Sequence, residues 1–135
     1  MEEKKKTVRV VCALIEEKGK IFAAQRGYGE WKDWWEFPGG KIEPGETPKE
    51  AIIREIREEL AATIEPTEDL GTIEWDYPDF HLFMRAFRAK IVQGSLSLLE
   101  AEDGRWLERE ALSSLHFLPA DEALLERLMQ QDSRE

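Results

Sequence analysis

The apolar and polar positions alternate between two periods along the chain. From Thr7 to Ile15, TVRVVCALI is a nearly unbroken apolar and β-branched run with charged residues on either side, the pattern of a mostly buried strand. The polar EEKGK after it predicts a turn at Gly19, and IFAAQR returns as a second strand, giving a hairpin. GYGEWKDWWEF then mixes glycine, charge and aromatic residues without period, which predicts a loop over the domain surface. Its tryptophans Trp31, Trp34 and Trp35 have two readings, as packed loop anchors or as the cover of a ligand.

The next segment changes to helical spacing. Thr47, Pro48 and Glu50 fit a capping box, with Thr47 as N-cap, Pro48 where a missing N–H is harmless, and Glu50 three residues after the cap. The helix is predicted to run to about Leu60, with Ile52, Ile53, Ile56 and Leu60 as its buried stripe. Gly71–Tyr77 and Phe80–Val92 read as a second hairpin broken by the turn signal YPD. GRWLERE predicts a short strand leading into the helical REALSSL, and PADEALLERLMQ a last helix carrying Leu124, Leu125 and Leu128. Strands and helices interleave without repeat or linker, so the expected fold is α/β (α+β) in one domain over residues 1–135, with residues 1–6 a frayed tail.

Composition narrows the function. A chain of 135 residues, 41% of them hydrophobic, is one ordinary domain able to bury its own core. Its 29 acidic and 19 basic residues leave a formal net charge of -10, which argues against a nucleic-acid binder and requires local basic groups or cations for any phosphate-bearing ligand. No apolar run of about 18 residues is present, so neither a secretory signal nor a membrane span is predicted, and the expected location is the cytoplasm. Cys12 is the only cysteine, which excludes an intramolecular disulfide and reads as a buried strand residue.

The densest chemistry lies on the first helix. Glu55, Glu58 and Glu59 fall within about a quarter turn of one another, away from the apolar stripe. Most acidic helix faces are merely solvated. Here, however, the like charges of Glu55 and Glu59 at i,i+4 oppose the helix by roughly 0.2–0.5 kcal/mol, and the cluster follows the glycine-rich turn FPGGKIEPGE, where backbone can approach a ligand closely. Carboxylates clustered without histidine or cysteine suit a hard cation, Mg²⁺ or Mn²⁺. Arg54 is placed either to orient these carboxylates through its planar fork or to form an i,i+4 surface pair.

Gly40, Glu46, Arg54, Glu55, Ile56, Glu58 and Glu59 stand at the spacing of the Nudix box, so the span 40–62 closely resembles that family's signature; the late glycine and final aliphatic of the box are Ala61 and Ala62 here. The likeness covers nearly the whole chain and is closest in kind to the MutT type and its cytidine-triphosphate pyrophosphohydrolase relatives, through EFPGGKIEPGET, WDYPDFH and LPADEALLERL. It implies an α/β/α sandwich around a mixed sheet, and Mg²⁺-dependent hydrolysis of a nucleoside triphosphate to the monophosphate and pyrophosphate. It implies Glu55, Glu58 and Glu59 as metal ligands and catalytic groups, the Gly39 carbonyl as another ligand, and Glu46 as a supporting carboxylate. A further metal ligand or catalytic base is implied six residues before Trp106, at Glu100, with Glu102 ranked second.

The same likeness implies that Arg26 reaches the phosphates, that Lys41 contacts the substrate, and that Asp121 meets the base. Asp121 is equally well read as a helix N-cap, and as an ionised carboxylate it only accepts hydrogen bonds. Tyr77 and Phe80 line a base pocket or simply pack in the hairpin, while His81 and His116 read as structural. The implied partner is a small nucleotide, with CTP, 5-methyl-dCTP or 8-oxo-dGTP leading. ADP-ribose, dinucleoside polyphosphates and a non-catalytic nucleotide-binding module are the alternatives. Neither nucleic acid nor membrane is expected, and monomer and homodimer both remain open.

Overall fold

A computed structural model describes residues 5–99, 101 and 103–132. Its central strand, β1 (Lys6–Glu17), carries the long apolar run because it is covered on both sides. Val11, Ala13 and Ile15 face one core and Cys12 and Leu14 the other, all at most 2% exposed. Alternate side chains therefore feed two separate apolar clusters.

The strand β2 (Lys20–Gln25) returns antiparallel to the end of β1, and β6 (Phe80–Gln93) runs parallel to it from Lys6↔Phe80 to Ile15↔Ala89. The outer strand β5 (Thr63–Asp76) is antiparallel to β6, and β7 (Asp103–Glu108) is antiparallel to β2. Two short strands are additions to the predicted elements: β3 (Trp35–Glu36) on β2 ends the segment read as loop, and β4 (Gly39–Lys41) on β1 lies in the glycine-rich turn after it. Among the described residues these make a seven-stranded mixed sheet.

Helix α1 (Pro48–Leu60) covers one face with Ala51, Ile52, Ile56 and Leu60, against Val11, Ile15, Phe22 and Phe87. The short α2 (Arg109–Leu112) and α3 (Pro119–Asp132) cover the other with Leu112, Leu124, Leu125 and Leu128. This is the α/β/α sandwich expected from the sequence. No helix among the described residues is long and apolar enough to cross a membrane.

Four local expectations change. The stripe of α1 uses Ala51 in place of Ile53, which lies half-buried at its margin. β5 begins at Thr63, eight residues before the predicted Gly71, and it pairs through register shifts around Pro66 and Asp69. As an edge strand it tolerates a proline and the polar TED, which hide it from a pattern search. At the N-terminus Lys6 already belongs to β1, and Lys5 Nζ donates to Asp76 Oδ1 at 3.0 Å and to the Tyr77 carbonyl at 2.9 Å, so these two residues are not part of a frayed tail. Finally, Asp121 lies inside α3, which starts at Pro119, and is not its N-cap.

Candidate active site

The capping box fixes how α1 starts. Thr47 Oγ1 accepts from the Glu50 amide at 3.2 Å, and Glu50 Oε1 accepts from the Thr47 amide at 2.9 Å. With the apolar stripe buried on the sheet, Glu55 and Glu59 are left beside β4. Two glycines make room there: a Cβ on Gly40 would stand 2.3 Å from the Glu55 carboxylate, and one on Gly39 would stand 1.9 Å from the Val11 carbonyl oxygen. The glycine pair is therefore a steric requirement of the site as well as a turn signal.

Arg54 organises the acids around it. Its Nε and Nη2 donate to the two oxygens of Glu46 at 2.6 and 2.9 Å, and Nη2 also reaches the Lys41 carbonyl at 3.0 Å. Its Nη1 donates to Glu55 Oε1 at 2.9 Å and to Glu58 Oε2 at 3.1 Å. Hydrogen bonds from Arg54 and from the Glu43 amide hold the Glu46 carboxyl below its usual range. One guanidinium thus ties the turn after β4 to three carboxylates of the signature, as its planar fork permits.

A cavity of about 300 Å³ opens beside this network, lined by Glu55, Glu59, Gly39, Gly40, Lys41 and Arg26 among others. One oxygen of Glu59, Oε2, is fully buried. Glu58 is not brought into the lining; its side chain is 59% exposed and paired with Arg54. Among the described residues no three acids converge as a ready-made ion cage. Glu100 and Glu102 lie outside the described residues. The donors that do converge, two carboxylates with the β4 backbone, are all oxygen, the chemistry of a hard divalent cation.

A second cavity, about 410 Å³, continues from the first and shares Arg26, Glu36, Gly39, Gly40 and Lys41 with it. It is largely apolar, with Val8, Val10, Leu82 and Met84 from β1 and β6, and it contains Tyr77, Phe80 and Asp121. Tyr77 stacks on Phe80 at 4.9 Å, and its hydroxyl accepts from the Ala120 amide at 3.3 Å, so the ring is held in place. Both aromatics therefore line a cavity and also pack in their hairpin.

Asp121 is 5% exposed, and its Oδ1 accepts from the Phe37 amide at 2.9 Å. Burial, reinforced by the negative charge of Glu36, pushes its carboxyl up to about 8 despite that hydrogen bond. Burial thus shifts Asp121 from the ionised, acceptor-only aspartate expected from the sequence toward the neutral acid, a form that carries one donor.

Glu36 is the residue that sequence reasoning missed. It pairs with Arg26 at 3.1 Å where the two cavities meet, and burial raises its carboxyl against the opposing influence of Arg26. Its only signal was an acid set between two buried aromatics, Trp35 and Phe37.

A family model described as the NUDIX domain matches residues 5–134. The chain belongs to the Nudix family. It is 34% identical to the CTP pyrophosphohydrolase of Escherichia coli (strain K12) over 125 residues, 92% of this chain and 93% of that protein. With the 8-oxo-dGTP diphosphatase of the same organism it shares 31% identity over 91% of this chain and 97% of the relative. The solution structure of the E. coli ORF135 protein superposes with a TM-score of 0.84 at 31% identity, covering 97% of this chain and 94% of that one. The MutT protein from Methanosarcina mazei Go1 gives 0.85 at 26% identity, covering 97% and 99%.

Proposed function

We propose that this protein is a nucleoside triphosphate pyrophosphohydrolase that cleaves its substrate to a nucleoside monophosphate and pyrophosphate. The observation that carries the reading is one continuous cleft. Its acidic end holds Glu55 and Glu59, its apolar end holds Asp121, and the Arg26–Glu36 pair stands between. The relatives named for CTP and 8-oxo-dGTP support a triphosphate as substrate.

Glu55, Glu59 and the Gly39 carbonyl, joined by Glu58 and by Glu100 or Glu102, would hold Mg²⁺, with Mn²⁺ as the nearest substitute. When bound, the cation neutralises phosphate charge and acidifies the attacking water. Arg54 keeps Glu55 and Glu46 in place for this, and Glu46 balances the guanidinium. Arg26 and Lys41 meet the phosphate chain as it leaves the acidic end.

The neutral Asp121 acid reads the base edge. In the neutral form that burial favours, with Oδ1 accepting from Phe37, Oδ2 would donate while Oδ1 still accepts a second bond. That donor–acceptor pair matches N3 and the amino group of cytosine, and equally O6 and N1–H of an oxidised guanine. The leading substrates, CTP, 5-methyl-dCTP and 8-oxo-dGTP, all present such an edge.

The test is turnover of a panel with Mg²⁺: CTP, dCTP, 5-methyl-dCTP, 8-oxo-dGTP, dGTP, ADP-ribose and diadenosine tetraphosphate, with products separated by chromatography. Monophosphate and pyrophosphate from one triphosphate, lost on chelation, is the expected result. Cleavage of ADP-ribose or the dinucleotide alone would reject the triphosphate reading, and no turnover at all would leave a nucleotide-binding module.

A further inference from the structure

We propose that Trp31 is the stacking wall for the nucleobase, an inference that rests on the triphosphate reading for the identity of the ligand. The segment from the loop after β2 into β3 places its three tryptophans in different surroundings. Trp35 is buried, under the Arg105 guanidinium at 5.0 Å. Trp34 lies against His116 with ring centroids 3.6 Å apart and planes tilted by 31°. Trp31 makes T-shaped contacts with both Trp34 and Tyr77, at 85° and 70°, and is partly buried against the apolar core.

These rings form a row from His116 through Trp34, Trp31 and Tyr77 to Phe80. Near-parallel pairs close both ends of the row, His116 with Trp34 and Tyr77 with Phe80. No described ring lies parallel to Trp31, yet Trp31 lines the same cavity as Asp121 and Glu36. A base in that cavity presents polar edges, which the two carboxyls can read, and a π-face, which needs a flat partner.

The loop is also set before any ligand arrives. The Arg26 amide donates to the Trp34 carbonyl and the Asp33 amide to the Arg26 carbonyl, both at 2.9 Å, while the Trp34 amide donates to the Trp31 carbonyl at 3.1 Å. Gln25 Nε2 adds a bond to the Asp33 carbonyl at 2.9 Å. A ring held by such a loop loses little freedom on stacking, which favours binding.

The test uses product monophosphates, which bind without being consumed. The ¹⁵N-labelled protein with Mg²⁺ is titrated with 5-methyl-dCMP, 8-oxo-dGMP and inorganic pyrophosphate, and the Trp31 indole N–H signal is identified by its loss in Trp31→Phe. We expect that signal to move upfield with a monophosphate and not with pyrophosphate. Trp31→Ala should weaken monophosphate binding about tenfold, and Trp31→Phe should stay within about threefold of wild type.

A Trp31 signal unmoved by every monophosphate overturns the inference. So does wild-type affinity in Trp31→Ala, or a Trp31→Phe variant as weak as Trp31→Ala. Binding against Trp31 by a protein that hydrolyses no triphosphate would keep this inference and sink the functional reading, so the two failures are distinguishable.

Discussion

The carboxyl of Asp121 and the amide of Phe37, 84 residues apart in the chain, are joined by a 2.9 Å hydrogen bond. The bond ties α3 to the strand–glycine segment that passes on through Pro38 and Gly39 to the acids of α1. Pro38 is fixed in turn, since its carbonyl accepts from the Ala13 amide of β1 at 2.9 Å. The apolar end of the cleft, with Asp121, and its acidic end are thus joined through one short, hydrogen-bonded path.

Stability should fall as pH rises toward and through about 8. A carboxyl whose folded-state pKa lies above its unfolded value adds stability that is fully present below the unfolded value and is lost as pH rises through the folded one. Asp121, raised to about 8 by burial, is such a group, and Glu36, raised in the same direction, adds to the slope. Thermal melts from pH 5 to 9 should show a declining Tm for the wild type and a shallower decline for Asp121→Asn. Parallel curves would mean that Asp121 does not titrate in this window.

Replacing Glu59 by glutamine should lower kcat by about 10³-fold, the scale expected when an electrostatic contact to the developing charge is lost. Glu59 lines the cavity with a buried oxygen, whereas Glu58 is exposed and held by Arg54. Chelation should remove wild-type activity, and added Mg²⁺ should restore it. Steady-state rates at saturating Mg²⁺ check the first claim, and retention of activity in Glu59→Gln would reject the role of that carboxylate.

The two glycines of β4 should fail in different ways. In Gly40→Ala the atoms nearest the new methyl are the end of the Glu55 side chain, which can swing aside, so Tm should change little while kcat/KM falls by about 10²-fold from the displaced acid. In Gly39→Ala the methyl meets the β1 backbone, which cannot, so Tm should drop sharply. Melting curves and kinetics on both variants decide; equal loss of stability in the two would contradict this geometry.

Ala61 ends α1 in the left-handed region at φ 58°, where the family signature has glycine, and its amide donates to the Arg57 carbonyl at 3.1 Å. A Cβ in that conformation costs about 1 kcal/mol, so Ala61→Gly should raise stability by roughly 0.5–1 kcal/mol. Denaturant titration measures it, and an unchanged or lower midpoint would show that the strain is already relieved.

What the sequence alone determined rests on short-range terms. The capping box, the stripe at three- and four-residue steps and the spacing of Arg54, Glu55, Glu58 and Glu59 all act within one or two helical turns, and α1 follows them with only the exchange of Ala51 for Ile53. The unbroken apolar run of β1 likewise announced a strand buried on both faces. The start of β5 was hidden, because an edge strand is held by backbone pairing to β6 and needs no apolar alternation.

Only the tertiary structure decided the fate of the polar and aromatic groups. Asp121 became a buried acid rather than a helix cap because Phe37 supplies an amide from a distant part of the chain, and Glu36 entered the site because Arg26 stands opposite it. Trp31, Trp34 and Trp35 are alike in sequence and unlike in place, divided by the neighbours that His116, Tyr77 and Arg105 bring to them. A helix writes its own pattern in neighbouring residues, but the charge state of a carboxyl or the surroundings of a ring are set by whatever the fold packs against them.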